Sequence, residues 1–149
     1  MNRNAVRYVV DASVAVKLFL AEDLTDKAEE LFRLLDLEHP PIFHVPEMFF
    51  IECANVFRTR VKIRAMSVDN AMTSIALLKD LPLVSWSSNE LASSALELAV
   101  RYDLSVYDGC YVALAVVTGA LLVTADNKLA RKMTRSDIPV VWLGGFLTE

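Results

Sequence analysis

Glycine is scarce in this 149-residue chain: there are four, and the only adjacent pair, Gly144-Gly145, lies near the end. No strand-like segment is followed by a glycine-rich loop able to cradle phosphates, which argues against a Rossmann dinucleotide site and against a P-loop. Cysteine is equally sparse. Cys53 and Cys110 each sit in a helix-like apolar stretch, too few for a disulfide scaffold and too widely spaced for a metal knuckle, so they read as small buried thiols. Positive charge is not in excess either, with 15 Lys and Arg against 19 Asp and Glu for a formal charge of −4. Bulk basicity, the simplest sign of a nucleic-acid binder, is therefore absent, and any hold on phosphates must come from a local basic patch or from bound cations. The two histidines, His39 and His44, flank Pro40-Pro41 and read as loop or surface residues. Long apolar runs are missing. None approaches the ~20 residues that a membrane span needs, and Arg3 and Arg7 precede only a short apolar run that Asp11 cuts, which is not a signal-peptide pattern. A reducing cytoplasm is the expected compartment.

What is present is apolar residue in quantity: 54% of the chain, with a mean hydropathy of +0.37. That level suits strands covered on both faces and leaves room for an apolar self-association surface. Strand-like segments at 6–10, 42–45, 83–86, 120–124 and 140–142 alternate with helix-like segments at 12–20, 24–37, 46–64, 68–81, 88–102, about 108–118 and 127–133. Pro46 is expected in the first turn of the third helix, Ser67 and Asp69 open the fourth, and Gly119 closes the sixth. Strands alternating with helices are the signature of an α/β domain with a parallel sheet, and the length fits a single domain over 1–149.

Four carboxylates stand out by context. Tyr8-Val-Val runs into Asp11 and Leu121-Leu-Val-Thr-Ala into Asp126, so two buried strands each deliver an aspartate at their C-terminal end. Asp108 opens a helix. Glu52 sits in the apolar run Met48 to Phe57, on a helix face it shares with Asn55, and is expected to look inward. Each aspartate alone also reads as a helix cap: Asp11 for the helix from Ala12, Asp108 for its own, Asp126 for the helix after Asn127. Glu52 resists that explanation, since a glutamate on an apolar face is costly unless paired or metal-bound. Together the four describe an acidic crevice at the C-terminal edge of the sheet, where open α/β folds bind ligands. Converging carboxylates repel, by ~1 kcal/mol per pair at ~4 Å in water and ~4 kcal/mol at an effective dielectric near 20. Mg²⁺ or Mn²⁺ relieves that with all-oxygen ligands, and such ions activate water and stabilise charge on phosphate. Phosphodiester hydrolysis is the natural reaction, with Ser13 and Thr124 as supporting hydroxyls that orient the carboxylates.

Four stretches carry a family likeness: Val9-Val-Asp-Ala-Ser13, Pro46-Glu-Met-Phe-Phe-Ile-Glu-Cys-Ala-Asn55, Leu104 to Ala115 around Asp108, and Leu122-Val-Thr-Ala-Asp-Asn-Lys-Leu-Ala130. In this order they resemble the PIN-domain ribonucleases, most closely the VapC-type toxins of prokaryotic toxin–antitoxin pairs. The resemblance implies a three-layer α/β/α fold whose parallel sheet has strand order 3-2-1-4-5, so that Asp11 and Asp126 meet on neighbouring strands. It implies that Asp11, Glu52, Asp108 and Asp126 are both the catalytic residues and the metal ligands, with Ser13 and Thr124 supporting; Asn55, on the Glu52 face, is a further supporting candidate. Gly109, Cys110 and Asn127 depart from the usual pattern without removing a ligand.

The expected function is a Mg²⁺- or Mn²⁺-dependent endoribonuclease that acts on RNA, forms a homodimer and is silenced by a small antitoxin protein; the alternative is a non-catalytic PIN-like protein- or RNA-binding module. Arg58, Arg60, Lys62 and Arg64 crowd the end of the Glu52 helix, and Lys128 and Arg131, with Lys132 and Arg135, follow Asp126. Both clusters suit helix C-termini by the macrodipole alone and are also the candidate RNA-binding residues. Trp86 and Trp142 are expected in the core or at an interface, and Phe49, Phe50 and Phe57 in the core.

Overall fold

The computed structural model describes residues 5–146, so the ends of the expected 1–149 span, with Arg3 among them, lie outside the described residues. Five strands form one parallel sheet: β1 (Arg7–Val10), β2 (Ile42–Pro46), β3 (Leu83–Trp86), β4 (Leu121–Thr124) and β5 (Val140–Trp142), in the order β3-β2-β1-β4-β5. This is the 3-2-1-4-5 order that the resemblance implied. The switch point falls between β1 and β4, which pair in the register Tyr8 with Leu121, Val9 with Leu122 and Val10 with Val123. The Asp11 amide extends this pairing by donating to the Val123 carbonyl at 3.1 Å. Asp11 and Asp126 therefore leave the sheet side by side.

The helices are α1 (Ala12–Ala15), α2 (Thr25–Arg33), α3 (Met48–Lys62), α4 (Val68–Asp80), α5 (Ser88–Tyr102), α6 (Val106–Thr118) and α7 (Asn127–Lys132). Three of the expected helices are shorter, because α1, α2 and α7 each give way to a 3-10 turn, at 16–18, 34–36 and 133–135. Pro46 ends β2 instead of opening the next helix, which begins at Met48; the pairing of this strand with β1 already stops at His44. Ser67 caps α4 as expected, its side chain accepting from the Asn70 amide at 3.1 Å. Gly119 ends α6 at φ 64°, the left-handed region glycine enters freely.

The core runs along both sheet faces. Val9, Phe43, Val45, Leu122 and Val123 are fully buried strand residues, joined by Leu31 and Phe49 from the helices. Edge-to-face aromatic contacts knit one side, Phe43 lying 5.3 Å from Phe32 and 5.7 Å from Tyr8. Phe49 and Phe57 are buried and Phe50 is half-buried beside Phe49. Both cysteines are free and buried. His39 is exposed as expected, whereas His44 is a buried β2 residue. Its Nδ1 accepts from the Trp86 indole at 3.0 Å, tying β2 to β3. Helix α6 is buried from Gly109 to Ala115 and lies tightly against α5, since a Cβ on Gly109 would stand 2.4 Å from the Ala95 carbonyl oxygen. The loop before α6, and Asp108 with it, is thus held by a close helix–helix contact. Among the described residues no helix is long and apolar enough to cross a membrane.

Candidate active site

Asp11 is the buried centre of the site. Its carboxylate caps α1, accepting from the Ser13 amide at 3.5 Å. It also accepts two hydroxyl bonds on one oxygen, from Ser13 at 2.9 Å and from Thr124 at 2.7 Å. Neither hydroxyl is idle on its other side. The Ser13 oxygen accepts from the Ala125 amide at 3.1 Å, and that of Thr124 from the Asp126 amide at 3.0 Å. A chain of hydrogen bonds thus runs from β4 through Thr124 and Ser13 to Asp11, fixing its orientation from the neighbouring strand. Ser13 and Thr124, the expected supporting hydroxyls, both lie within hydrogen-bond reach of Asp11.

Asp126 is exposed and caps α7, accepting from the Lys128 amide at 2.9 Å and the Leu129 amide at 3.3 Å. The cap reading and the site reading hold together, for one carboxylate oxygen takes both amides. Asp108 is not a cap. Ser105 fills that position, its hydroxyl accepting from the Asp108 amide at 3.0 Å, which leaves the Asp108 side chain in the first turn of α6.

Glu52 is half-buried on α3 and accepts a 2.7 Å hydrogen bond from the Tyr111 hydroxyl. The same hydroxyl oxygen accepts from the Ala12 amide at 3.4 Å. Tyr111 was not among the residues the sequence singled out. It is almost wholly buried and one turn along α6 from Asp108, so its oxygen joins α3, α6 and the start of α1 at one point. The signal was its spacing, three residues after a candidate carboxylate and so on the same helix face. Asn55, expected to look inward beside Glu52, is exposed, and only its backbone carbonyl is engaged, by the Thr59 hydroxyl. The buried positions on α3, Phe49, Cys53 and Phe57, recur at four-residue spacing, and Asn55 falls outside that stripe.

The electrostatics are those of one acidic crevice. Burial raises the Asp11 carboxyl above the usual range against the pull of Thr124 and Ser13, and the Asp126 charge adds to the rise. Burial likewise raises Glu52, opposed by Tyr111 and helped by the charges of Asp11 and Asp108. Asp108 is raised by burial and then by Asp11 and Asp126, with Ser105 and the Lys132 ammonium pulling the other way. The four carboxylates act on one another, and among the described residues none of them is in an ion pair. No three His, Cys, Asp or Glu side chains among the described residues are gathered tightly enough to hold an ion as they stand. The donor set is all oxygen and anionic, which fits a hard divalent cation and no softer metal. The thiols offer no alternative chemistry. Burial pushes Cys53 and Cys110 up, with the Glu52 charge adding to both, so neither is a ready thiolate.

The two basic clusters fare differently. Arg58, Lys62 and Arg64 are exposed, while Arg60 turns back to pair with Glu22, which also holds Lys17 at 3.0 Å. Arg60 is thereby part of a structural network between the α1–α2 connection and α3. Beyond Asp126, Lys128 and Arg131 are exposed, and Lys132 pairs with Asp103 at 3.6 Å.

With two aspartates delivered by β1 and β4 and the Glu52 and Asp108 helices packed against them, the chain can be set beside known proteins. The PIN domain family model matches residues 8–133. The chain belongs to the PIN-domain family. Ribonuclease VapC12 of Mycobacterium tuberculosis is 32% identical over 123 residues, 83% of this chain and 89% of the relative. Ribonuclease VapC3 of Pyrobaculum aerophilum is 29% identical over 131 residues, 85% and 95%. Among solved structures, a toxin–antitoxin complex from Klebsiella pneumoniae contains a chain of this fold, with a TM-score of 0.60 at 18% identity over 90% of this chain and 95% of that one.

Proposed function

We propose that this PIN domain is a metal-dependent endoribonuclease that hydrolyses RNA phosphodiester bonds and serves in the cytoplasm as the toxin of a toxin–antitoxin pair. The observation that carries the reading is the carboxylate set without ion pairs at the C-terminal edge of the sheet, in which Asp11, Glu52 and Asp108 are raised by burial and by the neighbouring acidic charges. Kinship with VapC ribonucleases supports the substrate class.

Asp11, Glu52, Asp108 and Asp126 would hold Mg²⁺ or Mn²⁺. When bound, such an ion compensates the carboxylate charge, lowers the pKa of water and draws charge from phosphate oxygens. The chain's own contribution is orientation. Thr124 and Ser13 hold Asp11, Tyr111 holds Glu52, and the first amides of α7 hold Asp126. No histidine base serves here, since the Nδ1 of His44 is taken by Trp86 and its Nε2 is buried, while His39 is exposed beside the two prolines. A partner's arginine could pair two of these carboxylates at once, so an antitoxin would silence the enzyme by competing for the ion's ligands.

The test is cleavage of a generic single-stranded RNA with Mn²⁺, beside Asp11→Asn and beside excess chelator. We expect cleavage that chelator abolishes and that Asp11→Asn lowers by at least about a hundredfold. Binding of RNA without turnover under every divalent ion tried would leave the binding-module reading in its place. The toxin assignment is tested separately by co-purification from the native host: a small partner should travel with the chain and suppress cleavage, and a partner that leaves cleavage unchanged would remove it.

A further inference from the structure

The net charge of −4 is unevenly spread. Between the C-terminus of α5 and the α7–3-10 segment lies an open groove of about 460 Å³ lined by Arg101, Tyr102, Asp103, Arg131, Lys132 and Arg135. Four cations meet one carboxylate there. Asp103 pairs with Lys132, and Glu97 approaches Arg101 from α5 at 3.0 Å. Arg131 and Arg135 are exposed and, among the described residues, carry no ion pair. They lie four residues apart, where like charges on a helical segment disfavour each other. The macrodipoles suit Arg131 and Lys132 at the end of α7 and Arg101 at the end of α5 one by one, but they do not account for two helices bringing these cations, with Arg135, to one groove.

The groove is tied to the acidic site. Helix α7, capped by Asp126, runs from Asn127 to Lys132, about 9 Å along its axis, and the Lys132 ammonium is near enough to act on the Asp108 carboxylate. Arg101 and Tyr102 end α5, and the short segment after them leads into Asp108. One wall of the groove thus leads to Asp126 and the other to Asp108.

We propose that this groove is the track for the substrate strand on one side of the scissile bond. Resting on the nuclease reading, it adds where the chain holds the RNA. Arg131 and Arg135 take successive phosphates through their planar guanidinium forks, and Tyr102 offers an aromatic wall for a base. Lys132 stands at the junction with the carboxylates. An open basic channel with an aromatic side suits a single strand, read by backbone and stacking. The cluster at the end of α3 is a poorer track, because its Arg60 is committed to Glu22.

The test uses the full chain and a fluorescent single-stranded RNA, with anisotropy read in chelator over a range of KCl and cleavage read in Mn²⁺. Arg131→Ala/Arg135→Ala should weaken binding on the order of tenfold and flatten the log–log salt dependence by about 1.4, two contacts at about 0.7 each. In cleavage it should raise KM with kcat nearly unchanged. The control, Arg33→Ala/Lys79→Ala, removes two exposed cations from α2 and α4 and should change neither. If the wild type cleaves RNA and the groove variant keeps its KM and salt slope, the track is overturned while the nuclease stands. If the salt slope flattens but the wild type cleaves nothing, the groove stands and the nuclease reading fails. If polyglutamate displaces the RNA as well as unlabelled RNA does, the groove takes acidic chains in general and the RNA assignment falls.

Discussion

Tyr111 joins three segments with one oxygen, donating to Glu52 and accepting from the Ala12 amide. In the sequence it is one aromatic in an apolar helix, indistinguishable from packing until Glu52 is seen across from it. Burial drives its own pKa far up, so it stays a donor throughout the working range. Tyr111→Phe keeps the ring and deletes the oxygen. We expect a loss of about 1–2 kcal/mol in stability, read by chemical denaturation. We also expect about tenfold weaker Mn²⁺ binding by calorimetry, as for other groups that orient ligands; unchanged Mn²⁺ affinity would make Tyr111 a packing residue only. Asp108 gives the sign of the electrostatics. Its folded pKa is raised by burial and by Asp11 and Asp126, so above that pKa its charge destabilises the fold, and the penalty disappears as the pH falls below the ordinary value of 3.8. In chelator at pH 7.5, Asp108→Asn should therefore raise Tm, by about 2 °C given that solvent screens this half-exposed group. The gain should vanish near pH 3.5, and with saturating Mn²⁺ the order should reverse because the wild type alone keeps the full ligand set. A variant melting below the wild type in chelator at pH 7.5 would refute mutual repulsion.

At the scale of elements, the sites of disagreement between sequence and structure have physical reasons. The strand-end aspartates were legible because a buried strand that stops at a carboxylate is unusual. Helix lengths were less so, since a 3-10 turn continues the same apolar spacing for one more turn. Asn55 shared a nominal face with Glu52, yet the buried stripe of α3 passes through Phe49, Cys53 and Phe57. His44 looked like a loop residue because of Pro40-Pro41, and only the pairing of β2 with both β1 and β3 buries it. Burial, and after it the Arg7 charge, lowers the His44 pKa below 6.5. Its contribution to stability is thus complete above pH 6.5 and lost as the pH falls through the folded value. Gly109 shows how close packing serves the site. An added Cβ would meet the Ala95 carbonyl at 2.4 Å and the Ala99 Cβ at 3.3 Å, and backbone cannot swing aside as a long side chain can. Gly109→Ala should cost about 1–3 kcal/mol as overpacking, despite alanine's better helix propensity. Because Asp108 is adjacent, cleavage should fall at temperatures where the variant is still fully folded. A variant of wild-type stability would show that α5 and α6 do not touch as tightly as this.

At the scale of the molecule, the strand order came from the family resemblance and is the order observed, whereas the four carboxylates were candidates because each stands in a distinctive local pattern. Of the basic groove, Arg131, Lys132 and Arg135 were candidates in the sequence, but Arg101 was not, for it joins them across 30 residues and from another helix. The apolar excess was readable only as a total. In the fold it divides between the two-sided core and exposed residues on two helix pairs: Ile51, Val68 and Met72 on α3 and α4, and Leu96, Val100, Val116 and Val117 on α5 and α6, each more than half exposed. Val116 and Val117 also line a small cleft of about 190 Å³ between α5 and α6, with Leu98 and Ala113. Valine loses little side-chain freedom when covered, so this pair of helices is well suited to a second copy of the chain, and a stable dimer needs about 1,600 Å² of such surface in total. We expect light scattering to give about twice 16.6 kDa at micromolar concentration. Val116→Lys/Val117→Lys should halve that mass with little change in Tm at low protein concentration, since both residues already face solvent. A double variant that remains dimeric would move the interface to another face, and a wild type that stays at 16.6 kDa at every concentration would show that the apolar surface on α5 and α6 is not covered by a second copy.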